Sequence, residues 1–212
     1  MTHNVYRSLC ALVAVLLLSS FALAKEAKNS SGVTIKNFGQ MDERFYRGAQ
    51  PKEDQYGELS ALGIKTVIDL QEKPKGYEKH AVEALGMHYV NIPMVDKAYP
   101  KDEWVAEFLR VVNDPATGKF YVHCAGGRHR TGTMGAVYRF TQYHWTFEQA
   151  YKEMKDYDFY TSWGHGDFKD YLEAYWVRIQ SQGYPDKLGV FGTHTDGVNA
   201  ANVFTTTPSW KK

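Results

Sequence analysis

Cysteine is nearly absent from this chain. Its 212 residues hold only Cys10 and Cys124, which excludes a framework of several disulfides. With no second cysteine beside Cys124 and no His-x-x-x-His pair, the usual zinc spacings are missing, and no metal or other cofactor is expected. A charge of one sign is also lacking: 25 Lys and Arg stand against 24 Asp and Glu. No global field steers such a chain to nucleic acid or anionic membranes, so any affinity for anions must be local. The 15 Tyr and 5 Trp do not alternate with basic residues as they would along a nucleic-acid groove. There is no internal repeat, and the single long apolar run, Leu9 to Leu18, is too short to cross a bilayer comfortably.

That run belongs to a three-part pattern. Arg7 precedes it and the small-residue end Ala22-Leu23-Ala24 follows, the layout of a secretory signal peptide. We expect cleavage after Ala24, an exported periplasmic or secreted product, and no stable membrane insertion afterwards. Arg7 is the only Lys, Arg, Asp or Glu in residues 1–24, so the remaining chain balances 24 basic against 24 acidic residues. Cys10 leaves with the leader and Cys124 becomes the only thiol. Outside the reducing cytosol such a thiol is open to oxidation, and its retention asks for more than the role of a small buried hydrophobe.

Beyond the leader, residues 25–32 read as a polar linker, 33–182 as a catalytic domain and 183–212 as a loose tail. An extended lead-in or strand pair is expected through "VTIKNF" and "RFYRGAQP", then a helix over Glu53 to Leu62 stopped by Gly63. Strands are predicted at "KTVIDL", "MHYVNIP" and "KFYVHC", with helices at Lys79 to Leu85, around Trp104 to Val112, and from near Thr131. In that last helix Gly132, Gly135 and Ala136 are small enough to approach the sheet. Two more helices are expected, from Thr146 to Tyr157 with a Thr146–Gln149 capping box, and from Asp167, its candidate cap, to Gln182. Strands alternating with helices imply an α/β fold with a mainly parallel central sheet flanked by helices.

The segment "VHCAGGRHRTG", Val122 to Gly132, lies at a strand-to-helix junction, where open α/β sheets place their functional loops. Ala125, Gly126 and Gly127 allow the tight turn that aims backbone amides inward and makes an anion nest at a helix N-terminus. Those amides and the helix dipole favour thiolate over thiol at Cys124, which makes it a nucleophile. Arg130 is placed to grip two phosphoryl oxygens and to stabilise the equatorial charge of the transition state. The Thr131 hydroxyl can hydrogen-bond the sulfur, and His123 braces the loop.

His123-Cys124, five residues, then Arg130-Thr131-Gly132 resembles the His-Cys-x5-Arg-Ser/Thr signature of the cysteine-dependent protein tyrosine and dual-specificity phosphatases. "HCAGGRHRTG" is most similar to the atypical dual-specificity group, whose plant and fungal members act on inositol pyrophosphates. The likeness runs from about Val33 to Gln182 and implies a protein tyrosine phosphatase-like fold. It also suggests extra cationic contacts to phosphate from Arg128 and His129, against the alternative that Arg128 packs outward as a solvated charge or pairs with an acidic neighbour. It also implies hydrolysis through a cysteinyl phosphate, with a phosphorylated protein or an inositol polyphosphate as substrate, and an aspartate general acid upstream of the cysteine. Asp96, 28 residues before Cys124 in the loop after "MHYVNIP", is the candidate, with Asp102 the runner-up at the start of the next helix. Asp69, inside a strand, reads as structural. Arg47 reads as a structural ion pair that could reach the site, and Trp163-Gly164-His165 as a turn with an aromatic plug that could border it. A rhodanese-like sulfurtransferase, an arsenate reductase or a non-catalytic phosphate-binding module are the competing readings.

Overall fold

The computed structural model describes residues 32–187 and 189–191. The leader read over 1–24, residues 25–31 of the linker and the tail beyond 191 lie outside the described residues. Among the described residues, no helix is long and apolar enough to cross a membrane.

Five strands, β1 (Gly39–Gln40), β2 (Phe45–Ala49), β3 (Thr66–Gln71), β4 (His88–Met94) and β5 (Phe120–Cys124), form one sheet in the order β1-β2-β5-β3-β4. β1 runs antiparallel to β2, and all other pairings are parallel. All residues of β3 and β5 are buried, as expected of central strands covered on both faces, whereas β4 at the edge mixes exposed and buried positions. The lead-in "VTIKNF" is not a strand. Its Asn37 turns the chain at φ 53°, and pairing begins only at Gly39, where the Tyr157 ring lies so close that any Cβ would overlap it.

The helices are α1 (Tyr56–Ala61), α2 (Glu78–Ala84), α3 (Asp102–Asn113), α4 (His129–Tyr143), α5 (Phe147–Asp156) and α6 (Gly166–Gln182). A 3-10 turn, Glu53–Gln55, precedes α1 and takes up the first residues of the expected helix. The Thr146–Gln149 capping box is present on α5. Asp167 is the second residue of α6 and does not cap it, because the helix opens at Gly166 with His165 in the cap position. α4 begins two residues before the expected Thr131, and twelve of its 15 residues are buried. It is a central helix wrapped by others and needs no amphipathic stripe. Gly132 faces Met154 and Phe159 of the neighbouring helical layer, while Gly135 meets Met41 and Arg47. The small residues therefore admit helices and a buried guanidinium as much as the sheet.

Side-chain alternation divides the core. Phe120, Val122 and Cys124 join Phe45, Ile68 and Leu70 in the cluster that also takes Phe108, Val137, Met154 and Phe168 from α3 to α6. His123 points to the other face, toward Glu78 of α2. The parallel register aligns Ala49 with Cys124 and Gln71 with Met94, so the loops after β4 and β5 leave from one edge of the sheet.

Candidate active site

The loop after Cys124 is shaped by what holds its carbonyls. Asn37 donates from Nδ2 to the carbonyls of Gly126 (3.3 Å), Gly127 (3.0 Å) and Tyr157 (3.0 Å). Arg47 Nη2 donates to the Gly127 carbonyl at 2.5 Å. A peptide is planar and trans, so a carbonyl drawn outward turns the N–H of the following residue inward. The amides of Gly127 and Arg128 thereby face the cradle, and the Arg128 amide reaches the sulfur. Gly127 sits at φ 65°, with a hypothetical Cβ only 2.3 Å from the Gly48 carbonyl carbon. Both its left-handed backbone and its contact with β2 demand glycine.

Cys124 is 3% exposed at the end of β5. Burial alone would push its thiol up. The Arg130 guanidinium, the Thr131 hydroxyl and the amides of Thr131 and Arg128 outweigh that and leave it more acidic than an ordinary cysteine. Thr131 Oγ1 is buried with no other partner, which leaves it for the sulfur. Arg130 donates from Nη1 to the Met94 carbonyl at 3.2 Å, while its buried Nε lacks a hydrogen-bond partner. The guanidinium is thus tied across the sheet edge and keeps a donor free.

His123 lies behind the loop. Its Nε2 is 2.7 Å from Glu78 Oε1 and its Nδ1 is 3.8 Å from Asp69 Oδ1, with all three side chains fully buried. Burial works against the imidazolium, but the pair with Glu78 and the charge of Asp69 prevail and raise the His123 pKa. Glu78 moves down: burial opposes its charge, and His123, Gln50 and Tyr56 overcome the opposition. Asp69, raised by burial, accepts from the Gln71 amide (2.9 Å) and the Tyr89 hydroxyl (3.0 Å).

A cavity of about 270 Å³ opens over the sulfur, lined by Asp96, Lys97, Arg128, Arg130, Tyr160 and His165 among others. Asp96 Oδ1 lies 3.7 Å from Arg130 Nε and 3.9 Å from His165 Nε2. Asp102 is elsewhere: it accepts from both Arg178 Nη atoms (2.6 and 2.8 Å) and from Tyr171 (2.8 Å). It borders a larger open groove of about 890 Å³ whose lining includes no cysteine. Arg128 lines the cavity and also stands 3.9 Å from Asp158. His129 also lines the cavity, its ring stacked on His165 at a centroid separation of 3.6 Å. Burial and the neighbouring His165 bring its pKa down to about 4.

Two sequence expectations change here. Arg47 is not in an ion pair among the described residues; it stacks 4.1 Å over Tyr157 and braces Gly127. Trp163 is no plug, being 81% exposed, while its neighbour His165 is 5% exposed and enters the cavity. Glu78, Asn37 and Lys97 carried no signal in the sequence. An acid in a helix's first turn and an Asn in a turn are ordinary surface features until tertiary packing buries or aims them.

A family profile described as DSP-PTPase phosphatase fused to NAD+ kinase matches residues 16–163. A Mycosarcoma maydis protein named as a tyrosine-protein phosphatase, OCA1, is 32% identical over 124 residues, covering 56% of this chain and 78% of that protein. Inositol diphosphatase DSP5 of Arabidopsis thaliana is 27% identical over 130 residues, 55% of this chain and 59% of the relative. In fold, the chain is similar to the core catalytic domain of PP-IP phosphatase SIW14 from S. cerevisiae, with a TM-score of 0.59 at 19% identity over 71% of this chain and 96% of that one.

Two predictions follow from the electrostatics. Alkylation of Cys124 by iodoacetate, followed against pH, should titrate below the ordinary thiol range, and Arg130→Met should move that titration upward. Glu78→Gln should cost about 3–5 kcal/mol in urea unfolding near neutral pH by stranding a buried charge. Because the folded His123 pKa is raised, its stabilising contribution is complete below the ordinary imidazole value and is lost as pH rises through the folded value. The gap between wild type and Glu78→Gln should therefore narrow on the alkaline side.

Proposed function

We propose a substrate class for this chain, which belongs to the DSP-PTPase family and is a cysteine-dependent phosphatase: phosphate esters that carry a second phosphate beside the one removed, of the inositol polyphosphate type. The observation that carries this reading is the lining of the cavity. Lys97, Arg128 and Arg130 converge on about 270 Å³ against a single carboxylate, Asp96, more cationic lining than one phosphoryl group needs. The naming of the Arabidopsis relative as an inositol diphosphatase supports the same class. A phosphotyrosine-type protein substrate is the second reading, favoured by Tyr160 on the cavity wall and by the exposed Trp163 two residues before His165.

The reaction proceeds in two steps. Cys124 Sγ attacks phosphorus in line, the bond to the leaving oxygen breaks, and Asp96 supplies the proton that oxygen needs. Ala125 to His129 supply the cradle, Arg130 holds the equatorial oxygens, and Thr131 steadies the sulfur both as attacking and as leaving atom. Water then attacks the cysteinyl phosphate and gives its proton to the same carboxylate. A sulfurtransferase, an arsenate reductase or a pure binding module would leave Asp96 without a task. We extend the proposal to export, on the strength of Arg7, the run Leu9 to Leu18 and Ala22-Leu23-Ala24.

Turnover should survive a chelator and be blocked by vanadate, and Cys124→Ser should abolish it while leaving phosphate-ester binding intact. Asp96→Asn should slow alkyl phosphates by about 10²-fold or more and aryl phosphates less. Asp102→Asn should cost stability of about 1 kcal/mol, since that pair is partly exposed. Across a panel of phosphotyrosine, phosphoserine, nucleotide and inositol polyphosphate substrates, kcat/KM should be highest for the last; a clear preference for phosphotyrosine would favour the second reading. Recovery from the periplasm or medium of a chain beginning at Lys25 tests export, and an intact leader on cytosolic protein would refute it.

A further inference from the structure

His165 has one nitrogen fixed and one free. Its Nδ1 lies 3.0 Å from the Ser162 carbonyl, an oxygen that can only accept, so Nδ1 carries a hydrogen and Nε2 is left to face the cavity. The atom it faces is Asp96 Oδ1, 3.9 Å away. The ring has little freedom to leave that line: it is 5% exposed, stacked on His129 at 3.6 Å and edge-on to Tyr160 at 5.2 Å. Burial and the neighbouring His165 bring the His129 pKa down to about 4, so His129 does not compete with Nε2 for a proton near neutral pH.

We infer that His165 is a positioning residue and proton partner of Asp96, the two side chains together holding the one proton that the leaving group takes. In the first step the P–O bond breaks, and the departing oxygen receives a proton relayed from His165 Nε2 through the Asp96 carboxylate. In the second, water attacks the cysteinyl phosphate, the S–P bond breaks, and the water proton returns through Asp96 to Nε2. Protons and charge balance over the cycle. The charged and titratable groups around the pair are Lys97 beside Asp96, Arg128, His129 and Arg130 from the loop and α4, and Tyr160 from the segment before α6. Asp167 follows in the first turn of α6 itself.

This inference rests on the phosphatase reading above, and the experiment separates the two. Wild type, Cys124→Ser, His165→Phe and His165→Gln are compared by pH–rate profiles on p-nitrophenyl phosphate and on an alkyl phosphate, with folding checked by circular dichroism. Phe keeps the ring stack without Nε2; Gln keeps a donor toward Asp96 that cannot titrate. For the alkyl ester, His165→Phe should lower kcat by about tenfold or more and move the alkaline limb to lower pH, since only a carboxyl then holds the proton. The aryl ester, with its good leaving group, should lose less. Gln should recover part of kcat but not the position of the limb. An alkaline limb unmoved in His165→Phe, equal losses on both esters, or full recovery of the limb by Gln would overturn the inference. If instead Cys124→Ser retains turnover, it is the covalent phosphatase reading that fails.

Discussion

Two peptide planes, Gly126–Gly127 and Gly127–Arg128, set the chemistry of this molecule. Their carbonyls are drawn outward by Asn37 and Arg47, and planarity turns the paired N–H groups toward the cradle, that of Arg128 reaching the sulfur. The rest of the architecture supplies the means. Asn37 can reach three carbonyls because it occupies the left-handed region, which Asn tolerates better than most residues. Arg47 can lie fully buried because Gly135 leaves room beside its guanidinium and Tyr157 offers a ring face. Gly127 can touch β2 because it has no Cβ to overlap the Gly48 and Ala49 backbone. A cradle built from backbone is rigid at rest, so its dipoles need no reorganisation when phosphoryl charge arrives.

Much of this was legible in sequence because it is local. Cys124 to Gly132 is one continuous segment, and the strand before it and the helix after it are marked by their own composition. Asp96 was reachable by topology: in a parallel sheet, loops after successive strands share an edge, and Met94 and Cys124 close their strands on that edge. Glu78 was not reachable. In sequence it is one more acid opening a short helix, and only the packing of α2 against the far face of β5 carries it to His123. His165 illustrates the same limit. Beside an exposed Trp163 and Gly164, both with positive φ, it reads as a turn residue until α6 docks and swings it over His129.

The site concentrates buried charge to a degree that a stable core would avoid. Arg47, Asp69, Glu78 and His123 are each 1% exposed or less, and Arg130 is 7%. Replacing such groups with hydrocarbon of similar shape is often neutral or stabilising, so stability does not account for them. Their arrangement does. Glu78 and Asp69 are confined to the far side of β5 with His123, whereas Arg130 stands on the near side with Cys124, and the strand's alternation keeps the two sets apart. A carboxylate on the near side would compete with phosphate for Arg130. The one carboxylate in the cavity lining, Asp96, has a half-exposed side chain and contacts Arg130 only at 3.7 Å, loose enough to yield the guanidinium to a substrate.

That looseness bears on how an acid and a clamp coexist. A tight bidentate pair between Asp96 and Arg130 would neutralise both groups and hold them, as Asp102 and Arg178 are held by two bonds of 2.6 and 2.8 Å at the neighbouring groove. At 3.7 Å, with Arg130 Nη1 already committed to the Met94 carbonyl, the guanidinium keeps its free Nε for phosphate. Asp96 follows β4 by only two residues, so its loop is short at its origin and tied through Met94 to the same arginine that clamps the substrate. Phosphate entering the cradle would draw Arg130 inward and tend to bring the leaving-group oxygen toward Asp96. In the proposed mechanism, substrate binding and proton delivery would be coupled through that one backbone carbonyl.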